Sequence, residues 1–82
     1  MKARFPIGLI FERKRFPKAK ETTLYTIDDI CLTSSVKTGE VFRIEYSISH
    51  EFMGQRISEY VVDPMIARSL APAVLMQYLT IE

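Results

Sequence analysis

From residue 42 to residue 49 the chain alternates without a break: Phe42, Ile44, Tyr46 and Ile48 occupy one parity, and Arg43, Glu45, Ser47 and Ser49 the other. Successive side chains of a strand point to opposite faces, so this run buries its apolar set on one face only as a strand. One apolar and one polar face favour an antiparallel sheet covered on one side over a parallel sheet buried on both. The short loop Phe52-Met53-Gly54-Gln55 and a second run, residues 57 to 62, complete a hairpin. The register expected for it sets Glu51 opposite Arg56, Tyr46 opposite Val61 and Ile48 opposite Glu59.

Two earlier segments fit the same sheet. Residues 7 to 16 roughly alternate, with Ile7, Leu9 and Phe11 on one parity and Pro6 and Pro17 as brackets; proline is confined to strand ends and edges. Residues 24 to 33 are rich in Ile, Thr, Tyr and Leu, with a bend expected at Asp28-Asp29, two poor strand formers side by side. No helical segment separates the strands, which excludes the crossovers that a parallel sheet needs.

At Asp63-Pro64 the character of the chain changes. An Asp N-cap before a proline at the first helical position is a helix start, and Ala71, Val74, Leu75, Tyr78 and Leu79 recur at helical spacing. The expectation is a helix over most of 64 to 79, kinked or broken near Pro72. Its rival is a short helix over 64 to 70 and a final strand over 73 to 81, because Val, Tyr, Thr and Ile also form strands. The fold class is α+β, a four-stranded antiparallel meander with a C-terminal helix packed on the apolar face; the alternative is a small all-β barrel closed by the C-terminal segment.

With 82 residues the chain is expected to form one domain, residues 1 to 82, which leaves no room for a two-domain enzyme with a cleft between lobes. The apolar run near the N-terminus, residues 7 to 11, is too short for a secretory signal or a membrane span. Cys31 is the one cysteine, so no internal disulfide forms and the expected location is cytoplasmic.

The net charge of +1 conceals an asymmetry. Residues 1 to 20 hold seven Lys or Arg against one Glu, a local +6, and residues 21 to 82 hold four against nine, a local −5. Arg13, Lys14, Arg15, Lys18 and Lys20, with Phe16 among them, form a basic segment beside a strand end. Cations hold phosphates and an aromatic ring stacks on a base, so the partner expected there is nucleic acid, another polyanion or an acidic protein surface. The bland alternative is a solvated edge whose charges discourage strand addition.

His50, the one histidine, falls on the apolar parity near Glu59 across the hairpin. A histidine and a carboxylate are the smallest unit that can act as a general base with its orienting group. Ser47, Ser49 and Ser58 lie on the other parity, however, so no catalytic triad assembles and His50 is read as structural. Asp28-Asp29 lacks calcium-loop spacing, one Cys and one His cannot make a zinc site within one chain, and Gly8, Gly39 and Gly54 are too scattered to cradle a phosphate. No catalytic residue, metal or cofactor is expected.

Residues 70 to 79 carry no charge at all. A sheet covers only one side of such a helix, which makes Leu70, Val74, Leu75, Tyr78 and Leu79 an expected contact with a second copy. The sequence therefore reads as a non-catalytic interaction module working as a homo-oligomer, with nucleic-acid or other polyanion binding through residues 13 to 20 as the alternative.

Overall fold

The computed structural model describes residues 2 to 79. Four antiparallel strands, β1 (Ile10–Arg13), β2 (Thr23–Ser34), β3 (Val41–Phe52) and β4 (Gln55–Val62), lie in the sheet order β1-β2-β3-β4 and are followed by two helices, α1 (Asp63–Ser69) and α2 (Pro72–Leu79). This is the expected meander with helical cover. Because β1 and β4 do not pair, the sheet stays open and the barrel alternative falls away.

The β3–β4 hairpin has the register read from the sequence, with Glu51 opposite Arg56, Tyr46 opposite Val61 and Ile48 opposite Glu59. Its turn residues Met53 and Gly54 both have positive φ, 51° and 77°. That pair defines a two-residue turn whose twist matches the strands it joins. On the front face of the sheet Tyr25, Ile27, Ile44, Tyr46, Ile48 and Val61 join Phe5, Phe11 and Ile66 in one buried cluster.

β2 departs from regularity where expected. Its register against β3 shifts between Ile27 and Asp29, so Asp28 bulges out, and such a bulge strengthens the local twist. A second shift, between Thr33 and Ser34, was not legible and moves Phe42. That residue was expected on the apolar side and is instead 60% exposed, while Val41 packs against the core.

β1 is shorter than the expected 7 to 16. Gly8, at φ 95°, donates its N–H to the Ile27 carbonyl, while the Ile27 N–H donates to the Leu9 carbonyl. Two residues thus oppose one and Ile7 turns outward. A left-handed glycine is the ordinary device for such a bulge.

Helix α1 begins at Asp63 itself, with Val62 in the N-cap position and no side-chain cap. The Asp63 carboxylate accepts hydrogen bonds from the Arg4 guanidinium and from the Tyr46 hydroxyl, the latter at 3.0 Å. The expected capping role of Asp63 gives way to this longer-range one. The helical segment breaks as expected before Pro72, with Leu70 extended at φ −90° and ψ 145°. Residues 73 to 79 are helical, against the strand alternative; residues 80 and 81 lie outside the described residues.

The Tyr46 hydroxyl also accepts from the backbone N–H groups of Arg4, at 3.2 Å, and Phe5, at 3.4 Å. One phenol therefore ties β3, the N-terminal segment and the start of α1 together. Removing it leaves two amide donors without an acceptor, one on buried Phe5. Tyr46→Phe is expected to cost about 1–3 kcal/mol in urea unfolding. Tyr25 is equally buried, but its hydroxyl makes no hydrogen bond among the described residues, and Tyr25→Phe should change stability by under about 0.5 kcal/mol. Equal costs for the two would refute the assignment.

Candidate functional site

The two ends of the front face are covered by different means. At one end Phe5 packs on Tyr46 and on Tyr78 of α2, with ring centroids 5.8 and 5.6 Å apart. The other end lies toward the Met53-Gly54 turn, with α1 approaching β1. There Phe11 stacks on Tyr25 at 5.8 Å, Tyr25 sits 4.5 Å from His50, and His50 is only 4% exposed.

Part of the cover at this end comes from the chain's own charged residues. Arg13 of β1 forms an ion pair with Glu59 of β4 at 2.9 Å, although their strands are the two edges of the sheet. Three interstrand gaps are about 14 Å in a flat sheet, so the contact requires the sheet to coil until its edges face one another over the front. Beside it the Arg15 guanidinium lies 3.6 Å from the centre of the Phe52 ring, a cation–π contact across the tips of the two hairpins.

His50 faces Ile57 across the hairpin, as the expected register requires, and neither of its ring nitrogens has a hydrogen-bond partner among the described residues. Glu59 stands opposite Ile48, as expected, and its carboxylate pairs with Arg13, 46 residues away in sequence, with no hydrogen bond to His50 among the described residues. Burial first, and then the charge of Arg15, hold the His50 pKa below the ordinary histidine value. Its imidazole is neutral at pH 7 and serves as packing against Tyr25.

The basic segment divides accordingly. Arg13 is bound up in the lid over His50. Pro17 sets a turn in which the Ala19 N–H donates to the Phe16 carbonyl at 3.0 Å. The turn brings Arg15, Phe16 and Lys20 together around a cleft of about 360 Å³, with Ala19, Glu21 and Thr23 completing its wall. Phe16 is 53% exposed there. Lys14, Lys18 and Lys20 are exposed and pair with no carboxylate among the described residues.

The C-terminal set is also divided. Leu70, Leu75 and Tyr78 are half-buried against the core, Val74 is half-buried, and Leu79 is exposed. No residue of α2 is fully buried. A second cleft, of about 370 Å³, was missed from the sequence; Arg4, Phe42, Arg43, Ile44, Val62 and Pro64 line it. It exists because Phe42 leaves the core and Asp63 fixes Arg4, both consequences of tertiary structure. His50 lines neither cleft.

Among the described residues no three His, Cys, Asp or Glu side chains gather as metal ligands, and no helix is long and apolar enough to cross a membrane. A scan against known protein families, a search of characterised proteins and a search of solved structures each return no match to this chain.

The lid gives a pH dependence of definite sign. Unfolded, the histidine binds a proton near pH 6.5; folded, it does so only at lower pH. Stability therefore rises with pH up to about 6.5 and is lost progressively below that value. The urea midpoint should fall between pH 7 and 5, and His50→Phe should flatten this part of the curve. Arg13→Ala removes both cover and a nearby positive charge, so the NMR titration of His50 should move up toward the ordinary value. A titration that stays in place would show that Arg13 does not form the lid.

Proposed function

We propose that this chain is a non-catalytic binding module that works as a homodimer, two copies joining antiparallel along their β4 edges. The observation that carries the reading is surface area. The chain exposes 6127 Å², whereas a compact monomer of 9.5 kDa exposes about 5,000 Å². The excess, roughly 1,000 Å², is comparable with the roughly 800 Å² that each partner contributes to a standard interface. A radius of gyration of 14.0 Å, against about 12 Å for a compact chain of this length, points the same way.

The two sheet edges differ in how they resist pairing. β1 has four residues, lies between Pro6 and Pro17 and carries Glu12 and Arg13. Short length, flanking proline and charge are the usual guards of an edge. β4 has eight residues in unbroken register with β3, without proline or bulge, and its two charges, Arg56 and Glu59, are taken up by Glu51 and Arg13. Because the pair flanking a two-residue turn is hydrogen bonded, the odd-numbered residues of β4 bond β3. Arg56, Ser58, Tyr60 and Val62 then turn their N–H groups to the open side. Tyr60, 63% exposed, and Val62 add apolar surface beside that seam on the back face.

A second copy fits this edge better than an arbitrary partner. Two identical antiparallel strands pair about a two-fold axis, and the product exposes only guarded β1 edges, so assembly stops at two. The seam is placed at β4 rather than at the C-terminal residues because Leu70, Leu75 and Tyr78 already pack on their own core. Cys31, half-buried and free, suits the reducing cytoplasm in which we place the protein.

Light scattering of the eluting peak, at concentrations from micromolar to hundreds of micromolar, tests the reading. The wild type should approach twice 9.5 kDa. Ser58→Pro removes an outward donor while sparing the β3 ladder, and should give a monomer with an unchanged circular dichroism spectrum. A wild type that stays monomeric throughout, or a folded Ser58→Pro variant that stays dimeric, overturns it.

A further inference from the structure

We infer that the cleft in the β1–β2 connection binds single-stranded nucleic acid, a base stacking on Phe16 and a phosphate lying between Arg15 and Lys20. This does not depend on the dimer. Three independent features meet at the cleft. Its cations are uncompensated: Arg15 rests on a ring instead of a carboxylate, its Nε is buried with no acceptor, and Lys20 has no ion pair among the described residues. Its aromatic ring is more than half exposed between those cations. Its volume, about 360 Å³, falls within the range of small-ligand sites, roughly 300–1,000 Å³.

The combination selects among anions. A carboxylate-rich peptide uses the cations and leaves the ring idle, whereas a nucleotide uses both. Duplex bases are already stacked on one another and cannot reach the face of Phe16, so the ligand is a single strand. Lys14 and Lys18, exposed on either side of Arg15 and Phe16 in the chain, supply contacts to neighbouring phosphates. Glu21, in the cleft wall, opposes the phosphate and tempers its affinity.

Fluorescence anisotropy with a labelled twelve-residue oligo-dT tests the inference. At about 50 mM salt the oligomer should bind, and log K should fall against log salt with a slope of about −2 to −3 for the four cations Lys14, Arg15, Lys18 and Lys20. Phe16→Ala, at an exposed position, should weaken oligo-dT about five- to hundredfold while leaving the affinity for inorganic polyphosphate unchanged. Glu21→Gln should tighten both. Absence of binding overturns the inference, as do an equally tight blunt duplex, equally tight polyglutamate, or an oligo-dT affinity unmoved by Phe16→Ala in a variant of native circular dichroism.

Discussion

Strands β2 and β3, of twelve residues each, run about 40 Å, while α1 and α2, of seven and eight residues, run about 10 and 12 Å. The sheet has more front face than its helices can shield, and most of the architecture follows from that mismatch. The N-terminal segment and the start of α1 are anchored by the Tyr46 phenol, and Phe5 packs between Tyr46 and Tyr78 of α2. At the far end the sheet covers itself: the bulge at Asp28 adds twist, the edges approach, and Arg13 reaches Glu59 above Tyr25 and His50. His50 is buried there against the Tyr25 ring, with no hydrogen-bond partner among the described residues.

The same economy of cover sorts the N-terminal cations by type. Arg4, itself exposed, binds Asp63, half-buried Arg13 binds Glu59 and half-buried Arg15 lies on Phe52, whereas Lys2, Lys14, Lys18 and Lys20 are exposed and pair with no carboxylate among the described residues. A planar, weakly hydrated guanidinium tolerates partial burial against a carboxylate or a ring; a compact ammonium holds its water. The local charge of +6 on residues 1 to 20 is thus not one patch. Its arginines largely serve the structure, and the field that reaches solvent near the β1–β2 turn is set by three lysines and by Arg15, which forms no ion pair among the described residues.

Where short-range pattern decides the outcome, the sequence was legible. The alternation through β3, the hairpin register, the bend at Asp28 and the break before Pro72 each depend on residues within a few positions of one another. Failures occur where a distant group enters. Nothing near Phe42 announces the register shift at Thr33 and Ser34 that expels it, and Asp63 looks like a cap until Arg4 and Tyr46 arrive from 59 and 17 residues away. The candidate site shows both cases. Arg15, Phe16 and Lys20 come together through a local proline turn, while Glu59, on the strand beside His50, gives its hydrogen bond to Arg13 from 46 residues away.

The geometry of the proposed pairing bears on how the two proposed activities coexist. The basic turn lies at the end of the sheet marked by the Met53-Gly54 turn, as the Arg15–Phe52 contact requires. In an antiparallel pair of β4 strands that end of one copy falls opposite the α1 end of the other. Two clusters of lysines are thereby held at opposite ends of the seam, where solvent screening over more than a Debye length of about 8–10 Å removes most of their repulsion. A parallel pairing would set them side by side and add a like-charge penalty. Charge and strand direction thus select the same antiparallel arrangement, and each basic cleft keeps its own access to solvent.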